Sequence, residues 1–220
     1  LKPYLSEVAR RGSRSVVHQL GTEGVSGSQR SEHLIVGGHD ISEGDEYFTG
    51  LSVRLEPGYP KPGSWHVLHQ IQQAPAVPRP GSNNPMITLN LDAETDKLQI
   101  HWRTGEDGRD GKYLGRKAVI DFEEGPLRRG VWYDLIVGWK YSPDSNDGWV
   151  HVYIKRSDQP QYTRYAFENL RVGFTDAPDM IWQNKFGLYK GGDGQKHVAY
   201  FDEVRFATSR EDARIPGSRF

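Results

Sequence analysis

"GVWYDLIVGWKYSPDSNDGWVHVYIKRS", residues 130–157, sets two runs rich in Val, Ile, Trp and Tyr on either side of a loop from Pro143 to Gly148. β-Branched and aromatic side chains fit a pleated, half-buried surface, whereas Pro, Asp, Ser, Asn and Gly supply the backbone freedom and local hydrogen bonds of a turn. The stretch therefore reads as a hairpin with a long loop. A second hairpin comes from "PMITLNLD" (85–92) and "KLQIHWRTG" (97–105), which flank the turn-like "AETD" (93–96). "EYFTGLSVRLEPG" (46–58) alternates and ends in a Pro- and Gly-rich turn, and "SWHVLHQIQQAP" (64–75) is a further strand. "NKFGLYKG" (184–191) and "HVAYFDEVRFAT" (197–208) form the last pair.

No long stretch shows a helical period; only "PYLSEVARR" (3–11) suggests a short turn. Hairpin-connected strands without helices between them imply an all-β fold, an antiparallel sandwich or jelly roll, with a β-barrel as the alternative. The sandwich is preferred because several strands carry large polar side chains on their second face, as a concave open sheet does. One domain over residues 1–220 is expected.

A formal charge of −1 argues against a general nucleic-acid binder or a polybasic membrane protein, so any positive field must be local to a groove. No apolar run approaches the length of a membrane span. There are no cysteines, which excludes disulfides, thiolate catalysis and Cys-ligated zinc. The chain begins at Leu1 rather than Met, which suggests processing or trimming of a longer protein.

Several outward faces are unusual. Along 64–73, Ile71 belongs to the core and takes Trp65, Val67 and His69 with it by the period of two, leaving His66, Leu68, Gln70 and Gln72 on the open face. In the 85–105 hairpin, burial of Ile87, Leu89, Leu98 and Ile100 turns Thr88, Asn90, Gln99, His101 and Arg103 outward. A solvated face is commonly Lys, Glu and Thr; amides, imidazole and guanidinium grip hydroxyls and carboxylates. In "QNKFGLYKGG" (183–192), Lys185, Gly187 and Tyr189 share a face, a cation and a phenol with only glycine between them. "SQRSEHLIV" (28–36) puts Arg30 and Glu32 on one face and Ser31, His33 and Ile35 on the other, so His33 is buried unless a bulge shifts the register.

"RSEHL", "HQIQQ" and "KFGLYK" resemble the three motifs of jelly-roll polysaccharide lyases: in family 7 alginate lyases, an Arg-x-Glu-Leu, a Gln-x-His and a Lys-x-Gly-x-Tyr strand. The intervening text, with its Gly-Val-Trp-Tyr-Asp and Ser-Asn-Asp-Gly-Trp segments, is more similar to the group of family 20 glucuronan lyases and heparin lyase I. The resemblance spans about residues 28–206. It implies β-elimination on a 4-linked uronic-acid polymer, with glucuronan favoured. Tyr189, Gln70, Arg30 and His33 would form the catalytic set, and Gln72, Asn90, His101, Arg103, Lys185 and Lys190 would bind substrate. Gln72 stands where the alginate lyases have histidine, which favours a tyrosine acting alone, with His33 or His101 as substitutes. Unperturbed tyrosine has a pKa of about 10, so a tyrosine base needs nearby cations such as Lys185 and Arg30.

No cofactor is needed for such chemistry if amides, a guanidinium or an imidazolium bind the carboxylate. By resemblance Asp202, in "AYFDEVRF", corresponds to an acidic residue that helps hold a structural Ca²⁺. The partner implied is an anionic polysaccharide, with no nucleic acid or membrane, acted on by a secreted or periplasmic monomer. Two other readings are a non-catalytic carbohydrate-binding module and a glycoside hydrolase, the latter normally needing two carboxyl groups at the scissile bond. Loops 74–85 and 104–118 are the expected readers of substrate identity.

Overall fold

The computed structural model describes residues 2–21, 27–37, 41–75, 84–106, 113–175 and 180–220. The 130–157 hairpin forms as its sequence dictates. β9 (Trp132–Lys140) pairs antiparallel with β10 (Gly148–Arg156), with Val150 opposite Trp139 and Val152 opposite Val137. It sits within the first sheet, ordered β1 (Tyr4–Ser6), β2 (Ser15–Leu20), β14 (His197–Ala207), β4 (Glu46–Leu55), β9, β10 and β11 (Thr163–Leu170). The second sheet runs β12 (Gly173–Phe174), β7 (Leu98–Gly105), β6 (Ile87–Leu91), β5 (His66–Pro75), β13 (Met180–Lys190) and β3 (Gln29–Gly37), with β8 (Tyr113–Ile120) also beside β7. The two sheets stack as a jelly-roll sandwich, and the apolar faces of both, including Leu51, Val137, Phe201, Leu68, Leu89 and Ile100, are fully buried between them.

Three expectations change. The strands at 184–191 and 197–208 are not paired: β13 lies between β5 and β3, whereas β14 lies between β2 and β4 in the other sheet. Residues 3–11 give the short strand β1 rather than a helical turn. Within the proposed 104–118 loop, residues 113–118 belong to β8, paired along β7; residues 107–112, like 76–83 of the other loop, lie outside the described residues.

The outer face of the first sheet is also covered. Helix α1 (Arg210–Ala213), capped by the Ser209 hydroxyl, brings Ala213 against Phe48, Ile136, Tyr153 and Tyr162, and Phe220 stacks on Tyr162. On the same face Asp134 is fully buried and accepts hydrogen bonds from Arg10, Lys155 and Ser52 at 2.7–2.9 Å. Burial alone would push its pKa up, yet these three donors outweigh it and hold the carboxyl below the usual range.

What positions the groove is a pair of register shifts. Between Val67 and His69, β5 carries one residue more than β6; between Phe186 and Tyr189, β13 carries one more than β5. Leu68 and His69 consequently both point inward, and alternation resumes with Gln70 outward and Ile71 inward. Trp65 and Val67 therefore join Gln70 and Gln72 on the open face, while His66 and Leu68 are buried, the reverse of strict alternation for the first half of the strand. Opposite the shift, Gly187 has φ +138°, and a Cβ there would meet Ser31 O at 2.3 Å and Glu32 Cα at 2.8 Å. The glycine is required by the close approach of β3 and by its backbone angle, beyond leaving the floor bare.

Two stability predictions follow from this packing. Gly187→Ala should cost about 2–4 kcal/mol, combining backbone strain with overpacking against β3, read as a lower urea midpoint; an unchanged midpoint would contradict the assignment. His18, His66, His69 and His197 are held neutral, chiefly by burial, with pKa values lowered from 6.5 to about 4. Between those values the unfolded chain binds protons that the folded one does not, so stability should fall as pH drops through that window. A flat melting temperature across it would contradict the neutral assignment.

Candidate active site

The concave face of the second sheet is a groove lined by Arg30, Trp65, Val67, Gln70, Gln72, Thr88, Asn90, His101, Arg103 and Tyr189. Strand register sets its layout. One row runs across the sheet through Lys185, Gln70, Thr88 and His101, and a second through Arg30, Tyr189, Val67, Asn90 and Gln99. Between the rows Glu32 lies opposite Gly187.

Glu32 is the centre of the polar contacts. Gln70 Nε2 donates to its Oε1 at 2.5 Å, and Arg30 Nε lies 3.1 Å from Oε2. The Glu32 side chain is 4% exposed, and burial raises its pKa against the opposing pull of Arg30, Gln70 and Lys185. Lys185 donates to Gln72 Oε1 at 2.7 Å, and burial lowers its pKa despite Glu32. The Arg30 guanidinium sits 4.1 Å from the centre of the Tyr189 ring, on its face, and Trp65 meets that ring edge-on at 4.6 Å. The phenol is thus fixed between a cation and an indole, and on the neighbouring strand Gln70 gives one N–H to Glu32 and has a second to offer.

Further along the floor, Thr88 and Asn90 are nearly fully buried, and Thr88 Oγ1 and Asn90 Oδ1 have no hydrogen-bond partner among the described residues. Buried oxygens without partners are costly unless a ligand or water meets them. His101 bonds Gln99 at 3.0 Å; burial first, then Arg103 and Lys117, lower its pKa to about 4, so it is neutral at neutral pH. Arg103 donates to Pro85 O at 2.6 Å and flanks the Tyr113 ring.

Most of the residues singled out from the sequence converge here: Tyr189, Gln70, Arg30, Gln72, Asn90, His101, Arg103 and Lys185. Three do not. His33 points from the opposite face of β3, stacked on Phe186 at 5.4 Å and bonded to His18 at 3.1 Å; the register shift in β3 falls beyond it and does not bring it out. Lys190 is 1% exposed and lies between the sheets, paired with Asp193 and bonded to Gln195 O, so it is not a groove residue. Asp202 accepts the backbone N–H groups of Arg10, Arg11 and Glu203, tying the N-terminal segment to β14. Conversely Glu32, Trp65 and Thr88 were not among the sequence-derived site residues. Glu32 was visible beside Arg30 in its motif, whereas Trp65 depends on the bulge.

Solved structures with this fold include an endo-β-1,4-glucuronan lyase from the fungus Trichoderma reesei, with TM-score 0.71 and 18% identity over 96% of this chain and 89% of that one. A PL-14 alginate lyase from Aplysia kurodai gives TM-score 0.63 and 14% identity over 94% and 87% of the two chains. The catalytic domain of a glycoside hydrolase family 131 protein from Coprinopsis cinerea gives TM-score 0.59 and 13% identity over 99% and 82%. At these identities the likeness establishes the fold, which serves both lyases and a hydrolase. Among curated proteins no sequence matches. The family model that does match, described as polysaccharide lyase, extends over residues 3–205 of the 220, and the chain belongs to that family.

Proposed function

We propose that this lyase cleaves a 4-linked uronic-acid polymer, with glucuronan the favoured substrate, by β-elimination in the groove of the second sheet. The observation that carries the reading is the meeting of Tyr189, Arg30, Gln70 and Glu32 on one face of three neighbouring strands. The C5 proton of a uronate is barely acidic while the C6 carboxylate keeps its full charge. Arg30 and the free N–H of Gln70 meet that carboxylate and stabilise the enolate-like dianion that forms as H5 leaves. Glu32 holds both donors in place before the substrate arrives, so little reorganisation is needed during reaction.

The Tyr189 oxygen, as the phenolate, takes H5 and becomes the neutral phenol, and the C5–H electron pair becomes the C4–C5 double bond as the C4–O4 bond breaks. In glucuronate H5 and O4 lie on the same side, so the same phenol can return the proton to the departing O4. Arg30, against the ring, stabilises the phenolate from which Tyr189 starts and to which it returns once O4 is protonated. Neutral His101 and the oxygens of Thr88 and Asn90 suit sugar hydroxyls rather than a carboxylate. A hydrolase reading needs two facing carboxyl groups; among the described groove residues Glu32 is the carboxylate, and it is engaged by Arg30 and Gln70. A polymer of this kind is met outside the cell, which agrees with a secreted or periplasmic protein.

Incubation with glucuronan, alginate and glycosaminoglycans should give unsaturated uronate, read by near-ultraviolet absorbance, from at least one of them. Binding without any such product would favour a carbohydrate-binding module. Tyr189→Phe should keep substrate affinity and lose both cleavage and solvent deuterium exchange at C5; exchange without cleavage would assign the base elsewhere. Gln70→Ala should lower kcat by about 10²–10³, since the charge it meets grows only in the transition state. A change in KM alone would remove Gln70 from that role.

A further inference from the structure

Behind the groove, where the chain crosses from one sheet to the other, His66 of β5, Asp193 of the 191–196 connection and His197 of β14 come together in the interior. His66 Nε2 is 3.0 Å from Asp193 Oδ2, and His197 Nε2 is 3.6 Å from the same oxygen. All three atoms lie within 4.8 Å of one another. Around a tetrahedral zinc ion, ligands at about 2.0–2.1 Å stand about 3.3 Å apart, and the two distances to Asp193 Oδ2, 3.0 and 3.6 Å, lie on either side of that value. The donor set is two imidazoles and one carboxylate, suited to zinc and unlike the six or more oxygens that calcium takes.

The surroundings of both rings supply an acceptor for the tautomer that metal binding needs. A histidine that ligates through Nε2 carries its proton on Nδ1 and needs an acceptor there. His66 Nδ1 has the Tyr59 hydroxyl oxygen at 2.9 Å, and His197 Nδ1 has both Gln195 O and the Lys190 ammonium at 3.1 Å, so in the metal-bound form its proton goes to Gln195 O and Lys190 keeps Asp193 Oδ1 and Gln195 O as its acceptors. His197 is 0% exposed and its Nε2 has no hydrogen-bond partner among the described residues, a buried polar atom left unsatisfied 3.6 Å from Asp193 Oδ2. Lys190 engages the other oxygen, Asp193 Oδ1, together with Gln195 O, and so holds the carboxylate in a monodentate pose; its charge also opposes the ion and weakens binding.

From this arrangement we propose that His66, Asp193 and His197 form a buried structural site for a divalent zinc-type metal that clamps the β13–β14 crossing to β5. The clamp lies directly behind the active groove. His66 follows Trp65 in the chain, and Lys190 follows Tyr189, the two rings that pack edge-on at the groove wall.

The test uses the full chain, stripped with a chelator, unfolded, and refolded with or without Zn²⁺ or Co²⁺ so that burial does not block entry. After desalting, one equivalent of metal should remain, the melting temperature should rise by several degrees, and Co²⁺ should give visible absorption of a tetrahedral nitrogen-ligated ion. His197→Gln and His66→Gln, which keep a polar group of similar reach, should retain at least tenfold less metal. Failure of the wild-type protein to retain either ion, or equal retention by both variants, would overturn the site and leave the cluster as the Lys190–Asp193 ion pair with two neutral histidines. Should the variants not fold, the Co²⁺ spectrum of the wild-type protein decides. Because these readouts are independent of turnover, they separate this site from the groove chemistry.

Discussion

The groove depends on two register shifts that face each other across β5 and β13. A strand of strict period two would hand the core Trp65 and Val67 and leave His66 and Leu68 facing solvent. The extra residue at Leu68 and the matching one at Gly187–Leu188 reverse that assignment over the first half of β5 while leaving Gln70 and Gln72 where alternation puts them. An indole, an amide pair and the Tyr189 phenol are thereby gathered on one surface without taking apolar side chains from the core. The shift is tolerated because Gly187 occupies a backbone region closed to most side chains.

Glu32 turns this collection of side chains into a defined geometry. A nearly buried carboxylate is unfavourable alone, and its cost is offset by Arg30 and Gln70, each of which loses freedom in the process. The two donors are therefore oriented before any ligand is present, in surroundings less polar than water, where a developing charge interacts with them strongly. The short hydrogen bonds around Asp134 on the outer face of the first sheet act in the same way on the scaffold, joining the N-terminal segment to β4, β9 and β10 through one buried anion.

The sequence was most legible where burial is one-sided and the chain alternates. Strands β6, β7, β9 and β10 all carry an apolar set at period two, and their pairing is local. β8, with "YLGRKAVI", and β11, with "TRYAFENL", were missed because both are edge strands with mostly exposed side chains, so no apolar face marks them. That β13 and β14 part company could not be read from a short connection, since sheet membership is fixed by partners more than a hundred residues away. In the site, Tyr189, Gln70, Arg30 and Lys185 were found from faces and motifs together. Lys190 looked like a groove cation, but its burial depends on Asp193, whose role shows only once the crossing is folded.

The order of strands in space also governs how the molecule can be made. β14 is inserted between β2 and β4, and β13 between β3 and β5, so the last strands of the chain join parts of both sheets that are made much earlier. Until residues beyond about 180 leave the ribosome, β3 lacks its partner, β2 has β1 alone, and β4 and β5 each keep an open hydrogen-bonding edge. The pairings of these two strands then form late and over long loops, which makes for slow folding and leaves unpaired edges open to other chains during synthesis. A truncated product ending before β13 would have its first sheet split and β3 detached from the second, and so would be a substrate for quality control rather than a smaller working enzyme.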